Sequence, residues 1–110
     1  IFGGSYVIEE LTENLVEKTF KSISNRISYV HVKDAIQDPS HPQAMKDGWR
    51  YVVPGKGSLQ LEVAIALLKE DSYSGWVMFE HEKRWHSDLE EPEIIFPQFI
   101  AWARPLIGER

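Results

Sequence analysis

The chain has 110 residues, 43% hydrophobic, 26% charged and 12% aromatic, with a net charge of −5, which describes one domain at most, of a size able to bury a core. No apolar stretch approaches the roughly 20 residues of a membrane span, and no basic-then-apolar run reads as a leader. Lys and Arg are scattered, against nucleic acid or an anionic membrane as partner, and zero cysteines exclude disulfides and thiolate metal sites and fit a reducing, cytoplasmic compartment.

The first residue is Ile1 rather than Met, so a piece of a longer protein is expected. Gly3-Gly4-Ser5 reads as loop. Thr12 is an N-cap candidate, and Leu15, Val16, Phe20 and Ile23 then recur at helical spacing, with Asn25 as the stop. Ile27 to Lys33 is rich in β-branched and aromatic residues and predicts a strand. From Ala35 to Gly57 the chain carries Pro39, Pro42, Gly48, Pro54, Gly55 and Gly57, which predicts one long loop. Loops of that length are functional or disordered; Trp49-Arg50-Tyr51-Val52-Val53 is too apolar for disorder, so an ordered lid or wall is expected. Ser58 reads as the cap of a helix with Leu61, Ala64, Ile65 and Leu68 on one stripe. Tyr73-Ser74-Gly75 turns into a second strand, Trp76 to Glu80. Pro92 or Pro97 opens the last helix, whose buried face is Ile95, Phe99, Ala103, Leu106 and Ile107.

Alternating helices and strands predict an α/β fold with a parallel sheet. Two strands are too few, because parallel sheets are covered on both faces. The chain therefore reads as part of a larger architecture, completed by missing sequence or by another copy.

Side chains alternate along a strand, so Tyr29, His31 and Lys33 share one face, and Trp76, Met78, Glu80 and Glu82 another. Val30/Val32 and Val77/Phe79 are the apolar faces that helices cover. The opposite faces turn polar only towards the carboxyl ends, where α/β barrels carry their chemistry. His31 with Glu80 offers the imidazole nitrogen and carboxylate oxygen of a divalent-metal site. The competing reading makes His31 a hydrogen-bonded core histidine and pairs Glu80 with Lys33.

Four motifs occur in order: Tyr29-Val30-His31-Val32-Lys33-Asp34-Ala35, Pro54-Gly55-Lys56-Gly57, Tyr73-Ser74-Gly75-Trp76 and Phe79-Glu80-His81-Glu82. The succession resembles the carboxyl-terminal part of the xylose isomerase-like sugar isomerase/epimerase family, with Ser72 where the family often has Gly. The resemblance implies the carboxyl-terminal portion of a (β/α)8 TIM barrel. Residues 1–110 are then a partial domain in the order helix, strand 7, helix, strand 8, helix, with loop 35–57 over the barrel mouth. It implies one divalent metal (Mn, Mg, Co or Zn) held by His31 and Glu80, with a further Glu and Asp on earlier strands outside this chain. Glu80 also inherits an acid/base role at the carbon next to a carbonyl, on a small sugar or cyclitol.

Lys33 then stabilises an oxyanion or is merely a charge partner for Glu80 or Asp34; Asp34 orients His31 or closes the loop turn. Trp49 and Arg50, with Tyr51, suit a polyhydroxylated substrate, or else their loop packs on its own aromatic residues. Glu82 and Arg84 shape the substrate site or form a solvated, mutually paired loop. Gly55-Lys56-Gly57-Ser58 lacks the spacing of a phosphate loop and reads as a turn. His41 and His86 are expected at the surface, and Trp102 in helix packing. Two alternatives stand beside the isomerase/epimerase or dehydratase reading. One is an abasic-site nuclease of the endonuclease IV type, disfavoured by the acidic charge and the missing Asp-x-His after His31. The other is a non-catalytic, self-associating fragment, whose exposed edges need pairing.

Overall fold

The computed structural model describes residues 15–108; the loop expected at residues 3–5 and the Thr12 cap lie outside them. Helix α1 (Leu15–Ile23) sets Val16 and Phe20 inward between charged residues, and Glu17 pairs with Lys21 one turn on at 2.8 Å. Its end differs from the expected left-handed stop at Asn25. A turn of 3₁₀ helix, Ser24–Arg26, tightens the chain, and Ile27 is already extended.

Strand β1 (Val30–Val32) is shorter than the apolar run that announces it. It pairs in parallel with β4 (Val77–Phe79), His31 opposite Met78 and Val32 opposite Phe79. The Glu80 amide extends the ladder one residue by donating to the Val32 carbonyl at 2.9 Å. Between these strands lies the largest departure from expectation. The segment read as loop 35–57 is built on an antiparallel hairpin, β2 (Asp34–Gln37) with β3 (Trp49–Val52), in which Ala35 faces Tyr51 and Ile36 faces Arg50. An ordered wall was anticipated; its strands were hidden by the prolines and glycines of the turn that joins them.

Helix α2 (Leu61–Glu70) buries Leu61, Ala64, Ile65 and Leu68, the stripe read from the sequence. Its cap is not Ser58. Gln60 holds that position without a side-chain bond, and Ser58 instead bonds the Ala35 carbonyl through its amide (3.0 Å) and hydroxyl (3.3 Å). At the other end the Ser72 and Tyr73 amides donate to the Lys69 and Leu68 carbonyls, a Schellman closure with Ser72 at φ 57°. Helix α3 (Pro92–Ile107) starts at Pro92, not Pro97, and runs unbroken past Pro97 and Pro105. Both prolines lie on the exposed side of the helix, while Ile95, Phe99 and Ala103 continue the buried stripe. Leu106 and Ile107, expected on that face, are only partly buried.

One core joins Val16 and Phe20 of α1, Val30 and Val32 of β1, Leu61, Ala64 and Leu68 of α2, and Phe99 and Ala103 of α3. Helices thus cover the valine side of β1. The opposite side, with Tyr29, His31 and Met78, is exposed. Among the described residues the strands form two two-stranded sheets and no closed barrel. No helix there is long and apolar enough to cross a membrane.

Candidate functional site

The parallel register places the carboxyl ends of β1 and β4 side by side, and this juxtaposition assembles the polar cluster. His31 Nδ1 lies 3.5 Å from Glu80 Oε2, while Lys33 Nζ donates to Glu80 Oε1 and Glu82 Oε1, each at 3.3 Å. Glu80 therefore turns one oxygen to the imidazole and the other to the ammonium. Burial works to raise the Glu80 carboxyl, but the Lys33 charge, with contacts from Glu82 and His31, outweighs it and holds the group below its ordinary value. Burial likewise pulls the Lys33 ammonium down, yet Tyr51, Glu80 and Glu82 overcome it and leave it above its ordinary range. At neutral pH the pair is carboxylate and ammonium.

The two nearest donor atoms suit a cation. Ligands about 2.1 Å from one metal at a tetrahedral angle are about 3.4 Å apart, close to the 3.5 Å between His31 and Glu80. They supply two ligands only: no group of three or more His, Asp or Glu side chains among the described residues could enclose a metal.

Asp34 is the buried polar centre of this region, 1% exposed. It closes the loop turn, the second of its two expected roles. Oδ1 accepts from the Ala35 and Leu59 amides (2.9 and 3.3 Å), and Oδ2 from Gly55 and Gly57 (3.0 and 2.9 Å). This explains Pro54-Gly55-Lys56-Gly57. A Cβ at Gly57 would strike the Asp34 carboxyl; one at Gly55, at φ 96°, would strike the Trp102 ring. Burial pushes Asp34 above its ordinary value against the pull of those four amides.

The remaining sequence candidates are placed elsewhere. Trp49 is buried, 6% exposed. Arg50, on the opposite side of β3 from Tyr51, is held by Asp38 at 2.9 Å, with Asp88 3.8 Å away. Arg84 stacks over the exposed Trp85 ring, 4.9 Å from its centroid. Glu82 joins the cluster, accepting from Lys33 at 3.3 Å beside Glu80. Two residues take places other than those expected of them. Tyr51 lies beneath Lys33, whose Nζ is 5.1 Å from the ring centroid, and His86 meets Tyr51 edge-on at 4.9 Å and 87°. His86 is not a free surface histidine: its Nδ1 is buried without a hydrogen-bond partner. The only signal available was the apolar Tyr51-Val52-Val53 run. His41, also expected at the surface, is partly buried with Nε2 3.9 Å from Asp88.

Comparison with known proteins finds similarity to part of several longer chains. Inosose dehydratase of Clostridium botulinum (strain Alaska E43) is 34% identical over 107 residues, covering 89% of this chain and 33% of that protein. The Clostridium beijerinckii enzyme of the same name is 30% identical over 97 residues, 79% of this chain and 30% of that protein. That of Clostridium tetani is 35% identical over 68 residues, 54% and 22% respectively. The chain is similar to a part of each of these proteins. It spans about a third of the length of the curated relatives it matches. The similarity is weak, 30–35% identity, and agrees only coarsely with the resemblance carried by the four motifs. No family model matches the chain, and no solved structure does.

Proposed function

We propose that this chain is the carboxyl-terminal part of a divalent-metal-dependent enzyme that removes water from a keto-cyclitol. The observation that carries the reading is the His31–Glu80–Lys33 cluster at the carboxyl ends of adjacent parallel strands, in a chain similar to inosose dehydratases. Dehydration is preferred to isomerisation or epimerisation because it is the activity the relatives are named for. All three begin with removal of a proton next to a carbonyl.

His31 Nδ1 and Glu80 Oε2 are the atoms that would hold the cation, together with ligands from elsewhere in the whole protein. When bound, the cation supplies Lewis-acid polarisation of the substrate carbonyl. Glu80, kept ionised beside Lys33, is the base for the carbon-bound proton. Lys33, kept cationic, stabilises negative charge on the neighbouring oxygen. The hydroxyl one carbon further on then leaves as the double bond forms and takes up the proton that Glu80 accepted, so that one water is lost and Glu80 returns to carboxylate.

The test uses the whole protein that carries this chain, assayed for loss of water from an inosose after dialysis against chelator and after return of Mn²⁺ or Co²⁺. Turnover is expected only in the metal-restored sample. His31→Ala should lower metal content in elemental analysis, and Glu80→Gln should lower kcat by at least about 100-fold. Full activity in chelator would overturn the reading.

A second reading has its own observation. Trp76 is 81% and Tyr29 65% exposed at the start of the paired parallel strands, which among the described residues form a sheet of two. Such a face needs cover, supplied by the rest of a barrel or by a second copy of the chain. Light scattering distinguishes them, since a monodisperse monomer excludes the second copy.

A further inference from the structure

Lys33 reaches its two carboxylates on a flexible four-carbon stem, and a lysine so placed is free to follow either one. Its ammonium instead sits 3.3 Å from both, and the third side of its position is closed by the face of Tyr51. We propose that Tyr51 is a positioning residue: its ring, braced edge-on by His86, fixes the Lys33 ammonium between Glu80 and Glu82. The inference rests on the reading of Glu80 and Lys33 as chemical groups, and adds the means by which Glu80 keeps one oxygen turned to His31.

Three features support it. The hairpin register sets Tyr51 opposite Ala35, two residues beyond Lys33, so pairing of β2 with β3 delivers the ring to the lysine. The ring face lies within the roughly 6 Å over which an ammonium is attracted to an aromatic quadrupole. His86 is tied to the other wall of the cluster, because its amide donates to the Glu82 and Lys83 carbonyls at 3.0 and 3.2 Å. The stack His86–Tyr51–Lys33 thus links the hairpin to the loop that carries Glu82. The unpartnered Nδ1 of His86 fits a ring held there by packing rather than by a hydrogen bond of its own.

The experiment has a spectroscopic and a kinetic arm. In the wild-type chain the Lys33 ε-methylene protons should resonate upfield of those of exposed Lys56, through the Tyr51 ring current. Tyr51→Phe should preserve that shift and Tyr51→Leu should abolish it. In the whole protein Tyr51→Leu should lower kcat roughly tenfold with KM little changed, the scale of a lost, partly desolvated cation–π contact, and Tyr51→Phe should restore it. An unshifted Lys33 in the wild-type chain overturns the proposal without any variant, which covers the case of a Leu variant that does not fold. Equal loss of kcat in the Phe and Leu variants also overturns it, since that assigns the effect to the hydroxyl. Wild-type protein that does not turn over an inosose refutes the proposed reaction instead, and the shift of Lys33 still decides the role of Tyr51.

Discussion

Asp34→Asn tests the closure of the turn that carries Pro54-Gly55-Lys56-Gly57 against the site. The substitution conserves size and leaves no cavity, so it isolates the acceptors. The carboxylate receives four amides, two on each oxygen, and an asparagine retains one oxygen. Whichever way the amide turns, two N–H groups lose their partner and face an NH₂. Each orphaned donor costs about 1–3 kcal/mol. Relief from burying an ionisable carboxyl offsets part of this, giving a net loss of about 2–4 kcal/mol. With a slope of about 1.5 kcal/mol/M for a domain of this size, the urea midpoint should fall by roughly 2 M. Hydrogen exchange assigns the loss: the Gly55 and Gly57 amides should exchange faster if the retained oxygen stays with Ala35 and Leu59, and the reverse if it turns. The penalty should also depend on pH. Burial raises the folded pKa of Asp34, so its contribution to stability is fully present below the ordinary value of 3.8 and is lost as pH rises through the raised one. The gap between wild type and Asp34→Asn should therefore narrow as pH rises above 3.8. A midpoint within about 0.3 M of wild type, with exchange at Gly55 and Gly57 unchanged, would refute the assignment of Asp34 as the anchor.

Three further outcomes follow from the same geometry. Gly57→Ala drives a methyl into the Asp34 carboxyl and should destabilise by about 2 kcal/mol or more, read from denaturant midpoints. Ser72→Gly removes a non-glycine residue from the left-handed closure of α2 and should stabilise by about 0.5–1 kcal/mol, with a Tm a few degrees higher. Glu80, with its pKa depressed, contributes stability above its ordinary value of 4.5 that is lost as pH falls through the folded one. The difference in stability between wild type and Glu80→Gln should accordingly be present at pH 7 and shrink as pH falls below 4.5, staying under about 1 kcal/mol because the side chain is 39% exposed.

Local regularities settle much of this molecule. The stripes Leu61-Ala64-Ile65-Leu68 and Ile95-Phe99-Ala103 follow from helical periodicity alone, and the change from apolar to ionisable residues along both strands marks where His31, Lys33 and Glu80 would converge. Local signals misled where two of them competed. Pro39, Pro42 and Gly48 announce a turn so strongly that they conceal the strands on either side of it, and Ser58 offers a cap to a helix that starts three residues later. Only tertiary structure decided that β2 pairs with β3 in the register that places Tyr51 under Lys33, that Arg50 is spent on Asp38 rather than turned to a ligand, and that both oxygens of Asp34 are filled by backbone amides 1 to 25 residues away. The physical reason is range: periodicity is a property of neighbours three or four residues apart, whereas the contact of Lys33 with Glu80 spans 47 residues and exists only once two strands have chosen their register.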